Sequence, residues 1–257
     1  MFTFWIAPVL TYSWILVVAA VVPAIFLMVK VYRSDKLEKE SPAMLVKMAV
    51  GGILSIIPAV ILEGIGEPFI GLFLEEGTIV YNFVLYFFVV GLAEEASKYF
   101  FLKTRSWKSY EFNCQYDGVV YAVFVALGFA LAENIFYVLD SGLSVAILRA
   151  VTAIPGHAAD GVFMGAYYGM ARGYAFLGNE KKSKSYRRLA VIVPTLTHGA
   201  YDFCASLMDL DVDVLWGAGI FFGFVIVLFI VAYRLVNKLS RNDKYFAIDR
   251  YNMRFLR

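Results

Sequence analysis

The sequence predicts an all-α, polytopic membrane protein, a bundle of about seven transmembrane helices with the N-terminus outside and the C-terminus in the cytoplasm. Three observations lead there. Of 257 residues, 61% are hydrophobic and only 17% are charged, whereas a soluble domain carries roughly a quarter charged. Apolar runs long enough to cross ~30 Å of hydrocarbon recur along the chain. The charged residues between those runs alternate in sign from loop to loop.

The runs fall at 8–32, 43–63, 78–102, 117–139, 143–172, 187–208 and 213–236. The first, within MFTFWIAPVLTYSWILVVAAVV, has no basic leader and no small-residue cleavage site followed by a polar domain, so it reads as a retained span and not a signal peptide. No internal repeat or low-complexity tract divides the sequence. Residues 1–257 are therefore read as one integral membrane domain, with its chemistry concentrated in 78–208. Cys114 and Cys204 fall in a basic loop and an apolar segment, which suggests neither a disulfide framework nor a metal knuckle.

The loop after the first run holds Lys30, Arg33, Lys36 and Lys39, and the next holds Glu63, Glu67, Glu75 and Glu76 without a base. Lys103, Arg105 and Lys108 follow, then Asp140 alone, then Lys181, Lys182, Lys184, Arg187 and Arg188. Asp209, Asp211 and Asp213 mark the sixth loop, and the tail from Arg234 to Arg257 is basic. Because basic loops stay on the cytoplasmic side, every loop supports the same orientation. The lipid bilayer is thus a partner, and no nucleic-acid partner is expected.

Polar groups inside the runs are few and patterned. The third run, VLYFFVVGLAEEASKYFFL, carries Glu94, Glu95 and Lys98. An ionised carboxylate in hydrocarbon costs at least ~3 kcal/mol, and neighbouring carboxylates repel each other. The fourth run has FALAEN, with Glu133 and Asn134; the fifth has RAVTAIPGHAAD, with Arg149, His157 and Asp160. The sixth has PTLTHGAYD, which puts His198 and Asp202 on one helical face. His157 and His198 are the two histidines of the chain.

Each has a plainer reading. Lys98 can neutralise Glu94 one turn away or extend to the cytoplasmic interface. Arg149 and Asp160 lie nearer span ends, where a structural role is the simpler account. Adjacent glutamates point ~100° apart on a helix, however, so one lysine does not easily satisfy both. The histidines each follow a proline, Pro155 and Pro194, which removes a backbone donor and favours irregular, hydrated backbone there. Gly161, Gly165, Gly169 and Gly173, at four-residue spacing, read as a tight helix seam that turns His157 toward other helices.

Peptide hydrolysis needs an activated water, a general base and a stabilised oxyanion. Two routes are open. In one, Glu133, His157 and His198 bind Zn²⁺ with water in the fourth position, a glutamate is the base, and Asp202 orients His198. In the other no metal takes part: a glutamate activates water directly while His198 and its neighbours stabilise the oxyanion. The chain has no HExxH, so spacing does not decide. Glu95 is the favoured base, with Glu94 paired to Lys98 at i, i+4. Counting helical rise places both histidines near mid-membrane, but Glu95 toward the cytoplasmic side and Glu133 toward the outer side.

The ordered set Glu94-Glu95-x-x-Lys98, Phe129-x-x-x-Glu133, His157 and His198-x-x-x-Asp202 resembles the PrsW family of bacterial intramembrane proteases, within a superfamily shared with CAAX prenyl endopeptidases. The resemblance covers roughly residues 90–205. It implies a site-1 protease of the cell membrane that cuts a single-span anti-sigma factor in regulated proteolysis under envelope stress. It also implies that Glu94, Glu95 and His198 are essential, with Glu133 and His157 completing the site. Where this chain has Glu133 the CAAX branch typically has His, and it has Arg in place of Lys98; a prenyl-protein endopeptidase is therefore the second reading. A proton-coupled transporter or channel would also use buried Glu, His and Asp, although it often shows two related halves, which are absent here. A non-catalytic relative that binds membrane partners is the third alternative.

Overall fold

A computed structural model describes residues 3–141, 143–208, 210 and 213–247. Its long helices are α1 (Thr3–Ser34), α2 (Pro42–Gly71), α5 (Gln115–Ser141), α7 (Ala153–Phe176), α8 (Glu180–Ser206) and α9 (Val214–Arg241). A further rod combines α3 (Ile79–Val84), a π-helical stretch (Leu85–Val90) and α4 (Gly91–Ser106), and a short α6 (Leu143–Val151) precedes α7. Among the described residues the sole extended pairing is an isolated bridge between Cys114 and Tyr245. Asp209, Asp211 and the tail from 248 to Arg257 lie outside the described residues.

Local chemistry sets the helix starts. Ser41 accepts from the Met44 amide at 3.2 Å, ahead of Pro42 in the first turn. Thr78, Asn179 and Asp213 cap α3, α8 and α9 in the same way, satisfying amides that have no partner inside the helix.

Among the described residues, four helical rods are long and apolar enough to cross a membrane: 42–71, 79–106, 115–137 and 214–241. The α5 window is 72% buried against 22–33% for the other three, so α5 is the central helix and the others present apolar faces outward. α7 and α8 fall below this measure because α7 carries His157, Asp160 and Arg172 and α8 opens on Lys181, Lys182 and Lys184.

Several boundaries differ from expectation. α2 continues to Gly71, which places Glu63 and Glu67 on a helix and not in a loop. α8 begins at Glu180, so the basic group Lys181 to Arg188 is helical; lysine and arginine propagate a helix well once Asn179 has capped it. Asp140 falls in the last turn of α5. The expected span over 143–172 is broken at Thr152, because Pro155 is tolerated only within the first turn of a new helix. At Pro194, by contrast, α8 runs on unbroken. The irregular backbone beside the sixth span lies instead in the facing π-helical stretch.

Small residues bring the helices into backbone contact. A Cβ at Gly165 would sit 2.4 Å from Val119 Cα, and one at Gly169 would sit 2.2 Å from the Gln115 carbonyl, so the expected glycine seam joins α7 to α5. Gly173 departs from it and faces the Phe246 ring. A second seam joins α2 to α5, where a Cβ at Gly52 would sit 1.9 Å from the Val125 carbonyl. The third seam positions the site. Gly91 and Gly199 both pack against the Tyr86 carbonyl, where a Cβ on either would come to 2.8 Å. α8 thereby lies directly on the π-helical stretch, and His198, next to Gly199, reaches the glutamates of α4.

Candidate active site

Glu94, Glu95 and Lys98 form a triad on the buried face of α4. The Lys98 ammonium donates to Glu94 Oε2 at 2.9 Å and to Glu95 Oε1 at 2.7 Å. One lysine thus serves both glutamates, contrary to the expected pairing with Glu94 alone: i, i+3 and i, i+4 spacings flank a single side chain. Lys98 and Glu95 are fully buried, and the Lys98 ammonium also lies 4.0 Å from the centre of the Phe129 ring.

His198 sits among four carboxylates. Its Nδ1 is 3.0 Å from Glu95 and 3.6 Å from Asp160; its Nε2 is 3.2 Å from Asp202 and 3.6 Å from Glu94. Asp160 in turn accepts from the Thr197 hydroxyl at 2.5 Å. Asp160 and Asp202 therefore fix the His198 ring from two sides.

His157 connects two depths of the bundle. Its Nε2 donates to Glu133 Oε2 at 2.8 Å, and its Nδ1 lies 3.4 Å from Lys98 Nζ. A lysine can only donate, so this network assigns the neutral Nε2–H tautomer to His157. This ring bridges Lys98 of α4 and Glu133 in the C-terminal half of α5, so the expected difference in depth between Glu95 and Glu133 does not separate them from one cluster. The two imidazoles lie 5.3 Å apart, centre to centre.

Glu133 is held from the other side by Arg149, whose Nη2 is 3.0 Å from Glu133 Oε2 and whose Nε donates to Asn134 Oδ1 at 2.7 Å. Arg149, the last-turn base of α6, thus joins the cluster through Glu133 and Asn134. The break at Thr152 that ends α6 turns it toward α5.

A cavity of about 400 Å³ opens onto this cluster, lined by Glu63, Glu94, Glu133, Arg149, both histidines, Asp160 and Asp202 with aromatic walls. Glu95 does not line it. Glu63 belongs to this cavity, with Oε1 buried and without a hydrogen-bond partner. Its signal in the sequence is the spacing Ile56, Val60, Glu63, one helical face that reaches the expected end of the second span.

Glu94, Glu95, His157 and His198 each bring a donor atom within 4.8 Å of the others, and all four are buried. Glu133 lies outside that group, behind His157. Nitrogen and carboxylate donors suit zinc, and Glu95 Oε2 is buried with no partner, so the residues fit a metal ion. Lys98 holds both glutamates of this group.

Comparisons with known proteins identify its relatives. The sequence profile of the PrsW family intramembrane metalloproteases matches residues 40–234. Protease PrsW of Halalkalibacterium halodurans is 31% identical over 232 residues, 89% of this chain and 99% of that one. Protease PrsW of Bacillus subtilis is 32% identical over 191 residues, 74% of this chain and 83% of its own. Protease PrsW of Clostridioides difficile is 31% identical over 230 residues, 88% and 91% of the two chains. No solved structure matches the chain. The family profile spans most of the chain and every residue of the cluster, and the protein belongs to the PrsW family of intramembrane metalloproteases.

Proposed function

We propose that this intramembrane peptidase hydrolyses a peptide bond of a membrane-protein substrate, a single-span anti-sigma factor, in the bacterial cell membrane. The observation that carries the reading is the convergence of Glu94, His157, His198 and Glu133 on one cavity from four separate helices. The seven-span topology with the N-terminus outside and the C-terminus cytoplasmic accompanies it, and the catalytic core is 78–208.

Glu94 is the general base. It lines the cavity, whereas Glu95 is fully enclosed and holds Lys98 and His198 in place. This moves the base from Glu95, the favoured residue by sequence, to its neighbour, because only a carboxylate that faces the cavity reaches the attacking water. His198, braced by Asp160 and Asp202, stabilises the oxyanion. Glu133, gripped by Arg149, sets the tautomer and tilt of His157. A zinc ion would be held by Glu95, His157 and His198, with Glu94 beside it as the base; when bound it would polarise the carbonyl and acidify water.

The test is cleavage of a co-expressed single-span substrate in membranes. Glu94→Gln and His198→Ala are each expected to abolish it while the protein still inserts and accumulates. Glu95→Gln is expected to lower it through the loss of His198 positioning. Undiminished cleavage by Glu94→Gln refutes the assignment of the base, and undiminished cleavage by both Glu94→Gln and His198→Ala refutes the site.

A further inference from the structure

A second buried acidic cluster lies away from the active site, where the α1–α2 loop meets the start of α5. Asp35, Glu40 and Asp117 each bring a carboxylate oxygen within 4.8 Å of the others, and all three residues are at most 3% exposed. Asp243, which follows α9, joins Asp117 from the other side and accepts from the Tyr116 amide at 3.1 Å. Nothing in the proteolytic reading uses these residues.

Their hydrogen bonds leave specific atoms over. Asp117 Oδ2 is spent on the Asn113 and Cys114 amides, at 2.9 and 2.7 Å. Glu40 Oε2 accepts from the Tyr121 hydroxyl, and Asp35 Oδ1 accepts from the Leu37 amide at 3.3 Å. Asp35 Oδ2, Glu40 Oε1 and Asp243 Oδ2 are buried with no hydrogen-bond partner. Lys39, one of two lysines in the same loop, directs its ammonium to the carbonyls of Tyr32 and Asp35.

We propose that Asp35, Glu40 and Asp117 form a binding site for a hard divalent cation, Mg²⁺ or Ca²⁺. The donors are all oxygens, which such cations require. Cys114 stands beside Asp117 but lies outside the group formed by Asp35, Glu40 and Asp117. A bound cation satisfies the left-over oxygens and ties together three chain segments distant in sequence. These are the 35–40 loop, the first turn of α5 and, through Asp117, the segment around Asp243. α5 carries Glu133 at its other end, so the site braces the helix on which part of the active site is built.

The experiment titrates CaCl₂ or MgCl₂ into the purified full-length protein in detergent at pH 7.5 and follows the thermal unfolding midpoint. The expected result is a saturable rise in the midpoint that Glu40→Gln weakens at least tenfold in apparent affinity and that Asp35→Asn/Glu40→Gln removes. His198→Ala is expected to keep the full response, which separates this site from the active-site donors. Glu40→Gln retains the contact with Tyr121, so it tests the site even if the double variant does not fold. A wild-type midpoint indifferent to both cations up to ~10 mM overturns the proposal and shows that the carboxyls share protons instead. An undiminished response in Glu40→Gln also overturns it. Neither outcome bears on the protease reading, which rests on other residues.

Discussion

Lys98→Met removes one ammonium and leaves two carboxylates buried beside each other. Each contact, at 2.9 and 2.7 Å, carries a Coulomb attraction of about 6 kcal/mol at an effective dielectric of ~20. Desolvating the three charged groups offsets most of that, at several kcal/mol per ion. The intact triad is therefore nearly neutral in stability, but removing the lysine alone leaves its penalty uncompensated. The expected cost is ~3–5 kcal/mol. Neutral hydrogen bonds between membrane helices average only ~0.6 kcal/mol, so a cost of this size identifies charge pairing and not ordinary polar contact. The assay is reversible unfolding in mixed micelles with increasing dodecyl sulfate, followed by helical circular dichroism. Lys98→Met also loses the cation–π contact with Phe129 and some packing, which Glu94→Gln/Glu95→Gln/Lys98→Met shares. That triple variant is expected to recover most of the loss, because it has no unpaired carboxylate. A cost below about 1 kcal/mol for Lys98→Met, or a triple variant as unstable as the single one, refutes the account of the triad.

Gly199→Leu is expected to cost ~1–3 kcal/mol in the same unfolding assay and to abolish substrate cleavage, since its Cβ alone would meet the Tyr86 carbonyl at 2.8 Å and must push His198 away from α4. Gly165→Val is expected to destabilise similarly, by forcing α7 off Val119 of α5. Arg149→Met should lower cleavage ~10–100-fold with insertion intact, as loss of a group that orients a site residue typically does. Arg149→Lys should rescue it poorly, because one ammonium does not reproduce the two-pronged hold on Glu133 and Asn134. Elemental analysis of the purified protein is expected to find one zinc per chain, lost together with cleavage activity on dialysis against a chelator. Full activity with less than about a tenth of an equivalent of metal counts against zinc.

The helices and the polar set were legible in the sequence because a bilayer imposes simple rules on length, apolarity and buried charge. Glu94, Glu95, Glu133, His157 and His198 stand out since each contradicts its apolar surroundings. Three features resisted the same logic. Glu63 is read as a loop residue because a carboxylate ends an apolar run, yet α2 continues for two more turns and carries it into the cavity. The π-helical stretch 85–90 has no residue signature, since LYFFVV is an ordinary apolar segment; its register follows from packing against Gly199. The base assignment between adjacent glutamates depends on which way a helix face turns, and that is set by contacts of α4 with α8, not by the spacing of the pair.

Both ends of α5 bear buried carboxylates, and the contrast between them explains why one end reads as an active site and the other as a candidate ion site. At Glu133 the negative charge is met by protein groups, Arg149 at 3.0 Å and the His157 N–H at 2.8 Å. The Glu94–Glu95 pair is likewise met by Lys98. Protein cations placed this way hold carboxylates in fixed orientation around a cavity while leaving one face for water and substrate. At Asp117 the contacts are backbone amides, and the neighbouring Asp35 and Glu40 keep oxygens without donors. There the left-over oxygens meet no positive charge, because Lys39 of the same loop turns its ammonium to backbone carbonyls. A small divalent cation supplies that charge without needing a basic side chain in a crowded loop. The same helix can then be held firmly at one end while its other end stays accessible to a peptide.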